Sequence, residues 1–214
     1  MDQDAKDRAP YRRKPQQSRG QETYAAILDA AGRLFAERGY EEASTHLIAK
    51  QAGISVGALY RYFAGKEEIC LALYEQDVSE LRARLLAQLD ITNLLGQDLR
   101  QIVRHTLALA FQVYAERSAL RRVLSEQSRK IPELGELRRK LEAELHLAVH
   151  RMLSSVSAVS LPDLEASAYL VSLFIERLMD ECALYHTAPE GLSEDRLVDA
   201  ATDLLMRYTL GYLP

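Results

Sequence analysis

Arg61 stands between two tyrosines in a short stretch, Ser55 to Phe63, whose other outward positions are small. A guanidinium can donate two parallel hydrogen bonds to guanine O6 and N7, the commonest sequence-reading contact in a major groove. Gly57 and Ala58 would let a helix approach the base edges, and Ala58 can touch a thymine methyl. The hydroxyls of Thr45, Tyr60 and Tyr62 suit phosphate oxygens, as does the Lys66 ammonium where the next helix opens with exposed amides. The chemistry on offer is recognition of a nucleic-acid duplex. The competing reading makes the tyrosines core residues and Arg61 a solvated charge, but the inward face is complete without them.

Those side chains need two short helices and a turn to present them. Residues 42 to 66 read EASTHLIAKQAGISVGALYRYFAGK. Ser44 can cap the first helix, whose inward face is Leu47, Ile48 and Ala52. Ala49 is small where the second helix must cross closely, Gly53 supplies the turn, and Ile54 plugs the gap. Ser55 caps the second helix, which buries Val56, Leu59 and Phe63 at i, i+3 and i+7. A helix pair crossing at a steep angle needs a small residue, a flexible turn and an anchor at those offsets. Ahead of the pair, a helix opening at Ser18, with its hydroxyl as cap and Gln21 answering, carries Ile27, Ala31, Leu34 and Phe35 on one face. Gly39 in a left-handed conformation is expected to stop it, with Tyr40 folding back onto its apolar end.

Charge is divided in the same way. The chain of 214 residues has a formal net charge of −4, yet residues 1 to 66 hold 11 Lys/Arg against 8 Asp/Glu, a net of +3, and the remainder holds 16 against 23, a net of −7. The basic end is the side suited to a polyanion, and the acidic body is expected to stand away from it. Within residues 1 to 20, which lack apolar periodicity, Arg12, Arg13 and Lys14 form a basic cluster near Pro10 and Pro15. Such an arm can lie along phosphates or enter a minor groove, or simply solubilise.

From Glu67 onward the pattern is helical, over about 67 to 89, 97 to 116, 119 to 129, 133 to 157, 164 to 186 and 194 to 212, with no sustained two-residue alternation. The fold class is all-α. No uncharged run reaches the roughly 18 residues of a membrane span and the N-terminus has no apolar signal core, so a cytoplasmic protein is expected. Cys70 and Cys182 are isolated, as free thiols in a reducing compartment would be. Nucleophile elbows, phosphate-binding glycine loops and paired metal ligands are absent from the sequence, so no catalytic site, metal or cofactor is expected.

ILDAAGRLFAERGYEEAS at 27 to 44 and IAKQAGISVGALYRYFAGKEEI at 48 to 69 resemble the DNA-binding domain of the tetracycline-repressor (TetR) family, the similarity running over residues 21 to 74. The resemblance implies DNA contacts from Thr45 through Lys66: Thr45 and Lys66 on phosphates, Tyr60 on the backbone, and Ser55, Val56, Gly57, Ala58, Arg61 and Tyr62 on the groove-bound helix, with His46 beside them. Gly57-Ala58 stand where many relatives have Gly-Thr, and Ala64-Gly65 replace the usual Pro-Ser or Pro-Asn, which weakens the cap before Lys66. The implied organisation is a basic arm (1–20), a three-helix helix-turn-helix domain (21–66, motif 44–63) and a helical ligand-binding and dimerisation domain (67–214).

The body's own pattern supports the dimer. Leu164, Ala168, Val171, Ile175, Leu178, Cys182 and Tyr185 recur at steps of four and three, as do Leu197, Ala201, Leu204 and Tyr208. Each of these helices carries a second apolar set, including Tyr169, Leu173 and Phe174 in one and Val198 and Leu205 in the other. One face can pack on its own subunit and the other on a symmetry mate, or both can be buried within one monomer. The family comparison places an effector pocket between about 97 and 180, where His105, Phe111, Tyr114, His146, His150 and Glu176 are the candidates. Glu142, His146 and His150 have a spacing that can hold a metal, but no third ligand from another helix is identifiable. Arg138, Arg139 and Lys140 read as a solvated face. The resulting expectation is a homodimeric repressor that binds a palindromic DNA operator and is released by a small-molecule effector; an activator of the same fold and an all-helical protein-interaction adaptor are the alternatives.

Overall fold

The computed structural model describes residues 17–88, 98–155 and 161–210. The basic cluster Arg12, Arg13 and Lys14 lies outside the described residues. Among the described residues there are nine α-helices, one π-helical segment and no strand: α1 (Ser18–Glu42), α2 (Thr45–Gln51), α3 (Val56–Tyr62), α4 (Lys66–Gln88), α5 (Leu99–Glu116), α6 (Ser118–Gln127), α7 (Pro132–Ser155), α8 (Leu164–Leu178), the π segment Met179–Leu184, and α9 (Glu194–Leu210).

The helices form two compact units. The first comprises the described residues up to Ser79 together with Ala119–Leu137; the second comprises Glu80–Ser118 and the described residues from Arg138 onward. The core of the first unit joins Ile27, Leu34 and Phe35 of α1, Ile48 and Ala49 of α2, Leu59 and Phe63 around α3, and Ile69 and Leu73 of α4. Leu120, Val123 and Leu124 of α6 and Leu134 of α7 are buried in that same core. The packing division therefore falls well past Lys66 and recruits a segment 50 residues downstream of it, because the apolar faces of α1 and α4 are covered by α6.

Helix α1 starts at Ser18, but its N-cap residue is Gln17, with no side-chain cap hydrogen bond, so Ser18 is not the cap. Gly39 has φ 77° and ψ 173°, an extended conformation of positive φ that glycine alone adopts readily, and the chain resumes helical turns to Glu42. The expected stop is thus a kink. Tyr40 does fold back, its ring centroid 5.4 Å from that of Phe35.

The second unit is built around Leu107, Ala110, Phe111, Val149, Leu153, Ala168, Val171, Val198, Ala201 and Leu205. Arg100 and Arg104, one turn apart on α5, meet Asp203 and Asp199, one turn apart on α9, with Arg104 Nε 2.7 Å from Asp199 Oδ1. These side chains are about half exposed, so the ladder aligns the helices more than it stabilises them. The single helix expected over 164 to 186 is α-helical only to Leu178, where the wider π turns begin. Five-residue spacing then brings Met179 and Leu184 inward together.

Three of the expected dimer residues, those fully buried in the monomer, are corrected here. Ala168, Val171 and Ala201 are buried in the monomer's own core, and Leu164, Ile175, Leu178, Cys182 and Leu197 are half-buried against it. Tyr185 is half-buried. The apolar side chains left outward are Tyr169, Leu170 and Leu173 on α8, with Leu204 and Tyr208 on α9, between 40% and 57% exposed. The Tyr208 hydroxyl donates to Ser167 Oγ at 3.0 Å, which ties the two helices together beside this strip. Val198 and Leu205 of the second apolar set on α9 join Ala168, Val171 and Ala201 in the core, while Tyr169, Leu170, Leu173, Leu204 and Tyr208 face out.

Candidate nucleic-acid interface

The turn between α2 and α3 is locally determined. Ser44 Oγ accepts from the Leu47 amide at 3.2 Å and Ser55 Oγ from the Ala58 amide at 3.1 Å, so both expected caps form. At the end of α2 the Ile54 amide donates to the Ala49 carbonyl at 3.0 Å and the Gly53 amide to the Lys50 carbonyl at 3.2 Å. That pair of bonds is a Schellman closure, which needs a positive φ at its penultimate residue; Gly53 supplies 69°. Ile54 then packs on the core. Leu59 and Phe63 are fully buried, Val56 is half-buried, and the Phe63 ring stacks on Tyr24 at 4.9 Å.

With α3 anchored by that face, His46, Ser55, Gly57, Tyr60 and Arg61 are exposed and Thr45 and Ala58 half-buried. Thr45 Oγ1 and Tyr60 OH lie 3.2 Å apart, joining the first residue of α2 to the outward side of α3. A Cβ built on Gly57 would meet nothing within 4 Å, so the fold itself does not demand glycine there. Tyr62 is half-buried against the core instead of standing fully outward. It offers DNA less surface than the sequence suggested.

Lys66 also differs from expectation. Its Nζ donates to the Tyr40 carbonyl at 2.6 Å and to the Glu41 carbonyl at 3.4 Å, and lies 4.1 Å from the centroid of the Tyr40 ring. A cation at the first position of a helix is disfavoured by the helix dipole, and these carbonyls offset that. The ammonium thereby holds the kinked end of α1 against the start of α4. The Ala64-Gly65 departure is compensated as well: the Ala64 amide donates to Glu68 Oε2, a carboxylate reaching back across the first turn. A Glu three residues past Gly65 was a readable sign of that arrangement.

Buried groups of this unit are chemically quiet. Burial pushes the Cys70 thiol up to about 12, which keeps it protonated at neutral pH. Tyr24, whose hydroxyl is buried without a hydrogen-bond partner among the described residues, is likewise raised to about 12, first by desolvation and then by Glu75 and Glu68.

The six pocket candidates do not converge. Phe111 is buried in the core, Tyr114 is half-buried against it, His105 is exposed and His150 half-buried. His146 and Glu176 do share a cleft of about 490 Å³ in the second unit, with Arg138, Glu142, Tyr169 and Asp180 among its lining. Arg138 is half-buried, with Nε donating to Glu142 Oε1 at 2.6 Å and Nη2 3.8 Å from Asp180 Oδ2, so it is not part of a solvated face. Glu176 is raised to about 7, by desolvation first and then by Glu142 and Asp180, against the lowering influence of Arg138. His146 packs edge-on against Tyr169, centroids 5.8 Å apart. Among the described residues no group of three His, Cys, Asp or Glu is placed to hold a metal ion. No described helix is long and apolar enough to cross a membrane.

A family model for bacterial regulatory proteins of the tetR family matches residues 27–73, which covers α1 from Ile27 onward, the capped helix pair and the first third of α4. The chain is 39% identical over 62 residues to the fatty acid metabolism regulator protein of Bacillus subtilis (strain 168), a stretch covering 29% of this chain and 32% of that protein. The chain therefore spans about a third of that relative's length. It is 27% identical over 136 residues to the HTH-type transcriptional regulator UidR of Escherichia coli (strain K12), covering 64% of this chain and 67% of that one. A crystal structure of a transcriptional regulator from Rhodococcus sp. Rha1 superposes with a TM-score of 0.67 at 21% identity over 89% of this chain and 99% of that chain, a likeness of fold.

Proposed function

We propose that the chain is a DNA-binding transcriptional regulator of the tetR family, a homodimeric repressor of a palindromic operator in the cytoplasm released by a small-molecule effector, a reading supported by the family-model match over 27–73 and the likeness to transcriptional regulators. The observation that carries this reading is the doubly capped α2–α3 pair with Arg61 and Tyr60 outward beside the small Gly57 and Ala58. In this reading α3 enters the major groove, Arg61 reads a guanine, Gly57 and Ala58 admit the helix to the bases, and Thr45, His46, Ser55 and Tyr60 meet the backbone. The first unit is the DNA-binding domain and the second the regulatory domain.

The dimer follows from the strip Tyr169, Leu170, Leu173, Leu204 and Tyr208, which closed two-fold pairing would bury. Two copies of α3 about one helical turn of DNA apart then read half-sites of a palindrome. The cleft around Glu176 is the candidate effector site, since a carboxyl poised near neutrality in a charged recess is a mark of function. An effector releases the operator by binding more tightly to the spacing of recognition helices that does not fit DNA.

The experiment is selection of duplexes from a random pool by the purified protein, followed by sedimentation of the complex. Enrichment of a two-fold-symmetric sequence bound by two protomers is expected. An unenriched pool, or an asymmetric site bound by one protomer, overturns the reading.

A further inference from the structure

Asp77 on α4 and Arg121 on α6 form an ion pair deep in the first unit, and neither the helix-turn-helix nor any pocket accounts for it. Arg121 Nε donates to Asp77 Oδ2 at 2.6 Å and Nη2 to Oδ1 at 3.0 Å, a two-pronged contact with side chains only 9% and 7% exposed. Burying both charges carries a desolvation penalty that the attraction between them does little more than offset, so well-packed apolar residues would hold α6 on α4 about as firmly. What the fork supplies is geometry. Leu120, Val123 and Leu124 would tolerate rotation or a shift along α4, whereas two parallel N–H···O bonds between planar groups fix both.

That register is shared with the core in which α3 is seated. Four residues toward the start of α4 from Asp77 is Leu73, and Ile69 and Leu73 share one core with Leu59 and Phe63 of the α3 segment and with Leu120 and Leu124 of α6. The start of α4 is in turn tied by Lys66 to the backbone just before α2. We propose that Asp77 and Arg121 are positioning residues for operator recognition: the pair keys α6 to α4 and so sets the pose of α3 on which base discrimination depends. This rests on the DNA-binding reading above.

The test compares the full-length protein with Asp77→Leu/Arg121→Met and with Arg121→Lys, which keeps the charge but not the fork. Each is titrated at fixed salt with a duplex selected by the wild type and with a scrambled duplex of equal length, alongside thermal melting. The double variant is expected to melt at or above the wild-type temperature while its selected-to-scrambled affinity ratio falls about tenfold or more, with Arg121→Lys intermediate. A loss of folded protein lowers both affinities together and leaves their ratio alone. A ratio within about twofold of wild type in the folded double variant overturns the proposal. Should the double variant not melt cooperatively, Arg121→Lys decides on the same ratio. If the wild type itself selects no duplex, the DNA-binding reading fails and this inference falls with it; a wild type that discriminates beside a variant that discriminates equally refutes the pair alone.

Discussion

Replacing Lys66 by Met keeps the hydrocarbon stem over Tyr40 and removes the ammonium that bonds two carbonyls. The bond to the Tyr40 carbonyl is short, 2.6 Å, and the one to Glu41 is long, 3.4 Å. A hydrogen bond from a charged group contributes about 1.5 to 3 kcal/mol, and the half-buried setting favours the lower part of that range. The cation over the Tyr40 ring at 4.1 Å adds about 0.5 to 1 kcal/mol. Together these give a loss of roughly 2 kcal/mol, since helix-dipole repulsion at the start of α4 is relieved at the same time. In urea the midpoint should fall with the slope of the unfolding transition unchanged, because the surface exposed on unfolding is the same. At fixed protein concentration the melting temperature should drop by about 4 to 8 °C, at roughly 2 to 4 °C per kcal/mol for a chain of this length. A loss below about 0.5 kcal/mol would show that Lys66 does not anchor the end of α1. Salt dependence of DNA binding separates the anchor from a phosphate contact. Loss of one neutralised phosphate flattens the slope of log affinity against log salt by about 0.9, whereas an ammonium committed to carbonyls leaves it nearly unchanged.

Arg61→Ala should lower affinity for the selected operator by about 1 to 3 kcal/mol and relax base preference at one position per half-site; retention of both by gel shift at fixed salt rejects Arg61 as a base reader. Gly57→Ala should leave the protein as stable or up to about 1 kcal/mol more stable, since the site is open and helical, while weakening operator binding; equal affinity would show that the groove does not approach this residue. Tyr24→Phe removes a buried hydroxyl that has no hydrogen-bond partner among the described residues and should be neutral or stabilising by about 1 kcal/mol in denaturant melts; destabilisation would reveal a partner. Glu176, raised from 4.5 to about 7 in the folded chain, binds more protons folded than unfolded between those values, so its contribution to stability falls as pH rises from about 4.5 to 7 and is flat above. Glu176→Gln should remove that slope from a series of melts across this window, and a slope unchanged by the substitution contradicts the assignment.

What could be read from the sequence was what adjacent residues decide. Ser44, Gly53 and Ser55 act on amides and carbonyls within five residues, and the caps and the turn formed as their spacing required. The buried anchors Leu59 and Phe63 followed from one helix's periodicity. Faces were harder to orient where both were apolar: on α8 the inward set Ala168 and Val171 lies about 150° from the outward set Tyr169 and Leu173, and periodicity ranks neither. Packing against a neighbouring helix decided, which the pattern of one helix does not contain. Lys66 and Arg138 carry charges that local pattern assigned to phosphate or solvent; Lys66 is held by carbonyls at 40 and 41, distant in sequence, and Arg138 by Glu142 one turn away on its own helix, with Asp180 3.8 Å off. The attachment of α6 to the first unit was hidden for the same reason, since Asp77 and Arg121 are 44 residues apart.

The central claim is that α3 reads base sequence. Its most direct test is the affinity of the wild-type protein, at one fixed salt concentration, for its selected duplex and for a scrambled duplex of the same length. Sequence-specific recognition predicts a preference of about a thousandfold or more, while equal affinities with the same salt dependence would mean that the protein binds phosphate alone and would contradict the account.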